Sequence, residues 1–189
     1  MKYSNSVVKL LVAALVIFIA AAGGMYLGGK LGIKSGNASA QQEDVFTNLT
    51  LGPGVEFPEI ELIDSKYLPV MSKVLLNENG TVVLFIDDDC PPCGEIAADW
   101  QKRIDEGAIA SKQVVGICFA NAAQIHSIHD KYQVDFPIYA DERYVFLDYY
   151  GVDAFPLILV VNGSGVITYV ESDSNKKLGK EELNRLLKS

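Results

Sequence analysis

Two cysteines stand at i and i+3 in Cys90-Pro91-Pro92-Cys93, shortly after the β-branched apolar run Thr81 to Ile86. Proline at a first helical position costs nothing, because the N–H it lacks has no intrahelical partner there. The pair therefore reads as the start of a helix that follows a buried strand. Thiols so placed can close a disulfide with little movement. A helix N-terminus stabilises a thiolate, the reactive form of cysteine. Cys90, beyond the strand end, is the candidate nucleophile. Cys93, one turn into the helix, is the candidate resolving thiol, so the pattern points to thiol–disulfide exchange. Asp87-Asp88-Asp89 immediately precede Cys90. Three carboxylates oppose thiolate formation, which predicts a Cys90 less acidic than in strongly oxidising pairs and a mid-range or reducing couple.

Other chemistry competes for the same residues. The pair could be half of a structural zinc site, or a permanently closed disulfide in a non-enzymatic binding module. His126 and His129 are the available further metal ligands, but two residues between them and 32 between Cys93 and His126 fit zinc spacing poorly. The two histidines read instead as one side of a surface helix, and no metal or other cofactor is expected. Cys118, inside the apolar run Gln113 to Phe119, reads as a small core residue.

The elements that must position the pair follow from periodicity. Phe57 to Ile63 alternates like an edge strand, while Thr81–Ile86 and Gln113–Phe119 read as strands buried on both faces. Helices are expected from Pro91 to about Gly107, from an Asn121 cap to Tyr132, and from Glu142 to Tyr150 ahead of Gly151. Pro137–Tyr139 is a short strand. Leu157–Val161 and Val166–Val170 flank Asn162-Gly163-Ser164-Gly165, a hairpin signal, and Gly179–Leu187 closes the chain as an amphipathic helix. Strands alternating with helices and ending in an antiparallel pair give a mixed α/β sheet with helices on both faces.

Ahead of this domain, Leu10 to Leu27 is an 18-residue uncharged run bounded by Lys9 and Lys30. As a helix it would extend about 27 Å, near the thickness of a bilayer's hydrocarbon core. It reads as an uncleaved membrane anchor with the N-terminus inside. The alternative is a cleaved leader ending at Ala38-Ser39-Ala40. Either way the remainder lies outside the cytoplasm. The expected organisation is a cytoplasmic N-terminus over residues 1–9, an anchor at 10–29, a linker at 30–54 that opens on the Gly-, Ser-, Ala- and Asn-rich stretch Gly28–Gln42, and the α/β domain at 55–189. All 24 acidic residues and 12 of the 16 basic ones follow position 40, a net of −12 for residues 41–189. So acidic a domain repels phosphates and has no Lys/Arg stripe to neutralise them, so no nucleic-acid partner is expected.

The stretch VVLFIDDDCPPCGEIAADW, with YQVDFPIYAD and YYGVDAFPLILVVNGSGVI, resembles the thioredoxin-like, membrane-anchored TlpA/ResA-type thiol–disulfide reductases of the redoxin (AhpC/TSA) superfamily. The resemblance runs from about Val55 to Ser189. It implies a thioredoxin-like α/β fold in which the stretch around residues 113–140 is the insert that distinguishes the group from plain thioredoxin. It implies that Cys90 and Cys93 form the redox-active disulfide, that Pro156 is a cis-proline facing them, and that Phe155 presents backbone to substrate. It implies a disulfide-containing protein substrate, apocytochrome c among the candidates, and a membrane-bound electron donor. Three positions depart from the family. Asp89 stands where an aromatic residue usually precedes the first cysteine, Ile96 where a glutamate often follows the second, and Leu84 where thioredoxin has its buried aspartate. Glu95, Asp88 and Asp89 are then the candidates for proton shuttling or for tuning the thiols. A peroxiredoxin is ranked below, because Ile86 and Asp87 occupy places its peroxidatic frame reserves for other residues. A copper-delivery protein would want wider cysteine spacing and a nearby histidine.

Overall fold

A computed structural model describes residues 50–173 and 175–189. The apolar run at 10–27, the N-terminus ahead of it and the linker up to residue 49 lie outside the described residues. Among the described residues, no helix is long and apolar enough to cross a membrane.

The sheet is built around β3 (Thr81–Phe85), whose five residues are all buried. It pairs in parallel with β4 (Val114–Cys118) and antiparallel with β6 (Leu157–Val161). Adding β1 (Glu61–Ile63), β2 (Pro69–Met71), β5 (Ile138–Ala140) and β7 (Ile167–Glu171) gives the order β2-β1-β5-β4-β3-β6-β7. Because side chains alternate along a strand, β3 feeds two cores. Val82, Leu84 and Ile86 pack with α1 (Pro91–Asp105), α2 (Ala122–Tyr132) and α4 (Lys180–Lys188). Val83 and Phe85 face Phe57, Ile117, Leu159 and Phe146, the last on α3 (Val145–Tyr150). This is the mixed sheet with helices on both faces that the pattern predicts, and its topology is thioredoxin-like.

The edge differs from expectation. Within Phe57–Ile63 only Glu61–Ile63 is strand, and it lies one place in from the edge because β2 pairs outside it. The cause is a local turn. The Asp64 carboxylate accepts the N–H groups of Lys66 and Leu68 at 2.8 Å each, and Tyr67 takes a left-handed φ of 62°. Pro69, with no N–H to offer a further strand, suits the outer edge.

Two helices are fixed by groups far away in sequence. Asn121 occupies the N-cap of α2, where the Gln124 side chain accepts its N–H at 3.2 Å. The next free N–H, of Ala122, is taken by Glu142 at 2.7 Å. On α1, Asp99 receives Arg103 at 2.8 Å and Lys177 at 3.0 Å, and Arg103 also donates to the Leu178 carbonyl, so the approach to α4 is tied to α1.

Candidate active site

Three loops meet at one end of the sheet. The parallel strands β3 and β4 both end there, and antiparallel β6 begins there. The register Phe85↔Leu157 sets Pro156 beside Ile86, at the point where the Asp87–Cys90 segment leaves β3. Cys90 is the N-cap of α1 with an extended backbone (φ −114°), and Pro91 and Pro92 fill its first two positions. The local signals of strand, proline and helix thus produce the expected turn.

Cys90 and Cys93 are joined in a disulfide, with Cα atoms 5.2 Å apart. The Cys93 N–H donates to the Cys90 carbonyl at 3.0 Å. Cys93, in the first turn of α1, is fully buried, whereas Cys90 is half-exposed. A substrate sulfur can reach the first atom and not the second, which is the asymmetry thiol–disulfide exchange needs. The Phe155–Pro156 bond is cis, as the family resemblance implies. Phe155 is half-buried and sets its ring edge-on to Phe119, 5.1 Å between centroids.

The structure separates the carboxylates named from the sequence. Glu95 is exposed on α1. Asp89 is exposed, and Asp88 is half-buried with its carboxylate accepting the Gln124 side chain at 3.3 Å. Asp87 differs from its neighbours in a way that three identical letters in a row do not signal. Burial, then its hydrogen bond with Asp88, raises its carboxyl above the ordinary value of 3.8.

Tyr132, at the end of α2, is a site neighbour that the motifs do not mark. Its hydroxyl lies against the carbonyls of Asp87, Asp88 and Cys90. Lys131 beside it donates to the Asp88 carbonyl. Only its helical phase, shared with Ile125 and Ile128, marked Tyr132 in the sequence, and that phase is equally a packing signal. Asp88, Asp89, Cys90, Pro91, Lys131 and Tyr132 line an open cavity of about 390 Å³.

Cys118 ends β4 on the same sheet face as Cys93, wholly buried. Burial, with the charge of Asp87 next, pushes its thiol up to about 12. It is a core thiol, as the apolar run suggested. His126 is exposed, and His129 places Nδ1 2.7 Å from the Val134 carbonyl. No group of three or more His, Cys, Asp or Glu side chains converges among the described residues.

The sequence profile of the AhpC/TSA family matches residues 53–170, well over half of the chain and all three loops of the site. The chain belongs to the AhpC/TSA family. Among curated relatives of this AhpC/TSA protein is the thiol-disulfide oxidoreductase ResA of Halalkalibacterium halodurans, 27% identical over 117 residues. That match takes in 60% of this chain and 65% of the relative, so the chain spans just under two thirds of ResA's length. Among solved structures, a secreted Mycobacterium tuberculosis disulfide oxidoreductase homologous to E. coli DsbE superposes with a TM-score of 0.53 at 20% identity. The superposition covers 68% of this chain and 94% of that one. A thiol peroxidase from Chromobacterium violaceum gives a TM-score of 0.54 at 14% identity, over 73% and 87% of the two chains. Folds this alike serve both a disulfide oxidoreductase and a thiol peroxidase, so in this AhpC/TSA protein the chemistry is set by the site and not by the fold.

Proposed function

We propose that this chain is a thiol–disulfide oxidoreductase of the ResA/DsbE type that reduces protein disulfides outside the cytoplasm. The observation that carries this is the closed Cys90–Cys93 pair at the N-terminus of α1, with Cys93 fully buried in the first turn and Cys90 half-exposed. In the reduced protein, the Cys90 thiolate attacks one sulfur of a substrate disulfide. A mixed disulfide forms, and the substrate's other sulfur leaves as a thiolate. Cys93, deprotonated, then attacks the Cys90 sulfur. The second substrate thiolate departs, and the Cys90–Cys93 bond stores the oxidation. Two electrons have passed to substrate, and a partner dithiol must return two to reopen the pair.

The helix N-terminus favours the Cys90 thiolate, and the neighbouring carboxylates oppose it. That balance supports a reducing or mid-range couple. Asp87, half-buried and holding its proton above the usual carboxylate range, is better suited to exchange a proton with the thiols than exposed Glu95 or Asp89. Cis-Pro156 and Phe155, at the same sheet end, position the substrate chain. The resident redox group is the dithiol itself. The uncharged 18-residue run between Lys9 and Lys30 supports a membrane tether and a membrane-bound electron donor. Apocytochrome c is the finer substrate assignment that the resemblance supports.

The test is insulin-disulfide reduction driven by dithiothreitol. Wild type should accelerate it, and Cys90→Ser should fall to the uncatalysed rate. Cys93→Ser, expressed as the full chain in membranes, should accumulate covalent complexes whose partners mass spectrometry identifies. Reduction by Cys90→Ser at the wild-type rate would remove the proposal.

A further inference from the structure

The segment Asp87–Cys90 carries the attacking sulfur, yet it lies beyond the ladder of β3 and ahead of the first turn of α1. The Cys90 carbonyl accepts the Cys93 N–H, but the Asp87 and Asp88 carbonyls take donors from another element. The last two residues of α2 supply them. The Tyr132 hydroxyl donates to the Asp87 carbonyl, and the Asp88 and Cys90 carbonyls stand within 3.3 Å and 3.2 Å of it as alternative acceptors. The Lys131 ammonium donates to the Asp88 carbonyl. Room for the tyrosine is reserved on α1, where a Cβ at Gly94 would approach the Tyr132 ring to 3.1 Å. Burial, and then the charges of Asp88, Asp87 and Asp89, raise the Tyr132 hydroxyl above its ordinary value, so it stays a donor. Lys131 is also the cation lining the cavity at Cys90, where the other charged groups are Asp88 and Asp89.

We propose that Tyr132 and Lys131 are positioning residues for Cys90. Tyr132 latches the segment that presents the sulfur, and Lys131 places a compensating positive charge where the thiolate develops among three carboxylates. This inference rests on the oxidoreductase reading and assigns a second helix to its site. The latch forms no bond to substrate; it fixes the nucleophile and its field before attack.

The experiment follows the rate of Cys90 carbamidomethylation in the reduced full chain between pH 5 and 10, with thermal unfolding measured alongside. Tyr132→Phe keeps the ring and should slow alkylation at pH 7 roughly 3- to 10-fold, the worth of one hydrogen bond. Gly94→Ala should reproduce that loss with the hydroxyl intact. Lys131→Met, at an exposed position, should move the midpoint of the pH profile up by about 0.5 pH unit, an effect that 1 M salt shrinks and Lys131→Arg restores. A merely structural role would lower the melting temperature without moving that midpoint. Wild-type rates and midpoint in both Tyr132→Phe and Lys131→Met would overturn the proposal. Should Tyr132→Phe fail to fold, Lys131→Met alone decides between these outcomes. Alkylation does not require turnover, so a wild type inert toward insulin would sink the oxidoreductase reading while the latch remained measurable.

Discussion

Cys118 and Cys93 face the same core, yet their surroundings give them different chemistry. Cys93 sits one turn from a helix N-terminus with a sulfur partner, whereas Cys118 sits at the end of a central strand with its thiol pushed up to about 12. At pH 8 only about one Cys118 thiol in ten thousand would be ionised. Reduced native protein should therefore take up maleimide at Cys90 readily and at Cys118 only after denaturation, as peptide mapping would show. Cys118→Ala should cost about 1 to 2 kcal/mol of stability in urea titrations without changing turnover. Asp87 gives a pH signature of its own. Its raised value means the folded protein keeps that proton to higher pH than the unfolded chain does, so stability is given up as pH climbs through the range above 3.8. Asp87→Asn should accordingly raise the melting temperature by about one to two degrees at pH 7 and leave it unchanged at pH 3. A drop at pH 7 would show that the carboxylate is held by favourable contacts instead.

At the level of elements, the β6–β7 hairpin hands the chain to α4 through a charged knot. Glu171, at the end of β7, receives Lys176 at 2.6 Å, the Tyr169 hydroxyl at 3.0 Å and the Asp173 N–H at 3.0 Å. Lys176 first, then the Asp173 N–H, hold the Glu171 carboxyl down to about 2 from its ordinary 4.5. A lowered folded-state value gives stabilisation that is present above the unfolded value and lost as pH falls through the folded one. Urea midpoints of wild type should therefore decline between pH 4.5 and 2 more steeply than those of Glu171→Gln. Parallel slopes would show that the knot adds nothing to the fold.

Over the whole molecule, the excess of acid dominates. Residues 41–189 carry 24 acidic and 12 basic side chains, and three of the acids stand directly before Cys90. A field of that sign favours encounter with basic segments and is screened by salt. For cystine-containing peptides flanked by lysine, kcat/KM should fall roughly 3- to 10-fold from 10 to 500 mM NaCl, while glutamate-flanked peptides should gain. Equal salt profiles for the two would show that the field does not reach the site.

The chain's own order of residues settled the strands β3, β4 and β6, the helix opening at Pro91, the hairpin after Val161 and the cysteine pair, because each is a local pattern of period, proline, glycine or spacing. The inner place of β1 was also written locally, in the Asp64 turn, but a three-residue strand carries too little periodicity to announce itself. Tertiary structure alone decided which acid is half-buried and what holds the segment carrying Cys90. Glu95 and Asp87 are equally acidic as letters, and only packing exposes one and half-buries the other. Tyr132 lies 42 residues from Cys90, and its reach across to that carbonyl exists only once α2 has docked beside α1. Hydrogen bonds between distant segments are set by how layers stack, and layer stacking has no signature at the range over which sequence patterns speak.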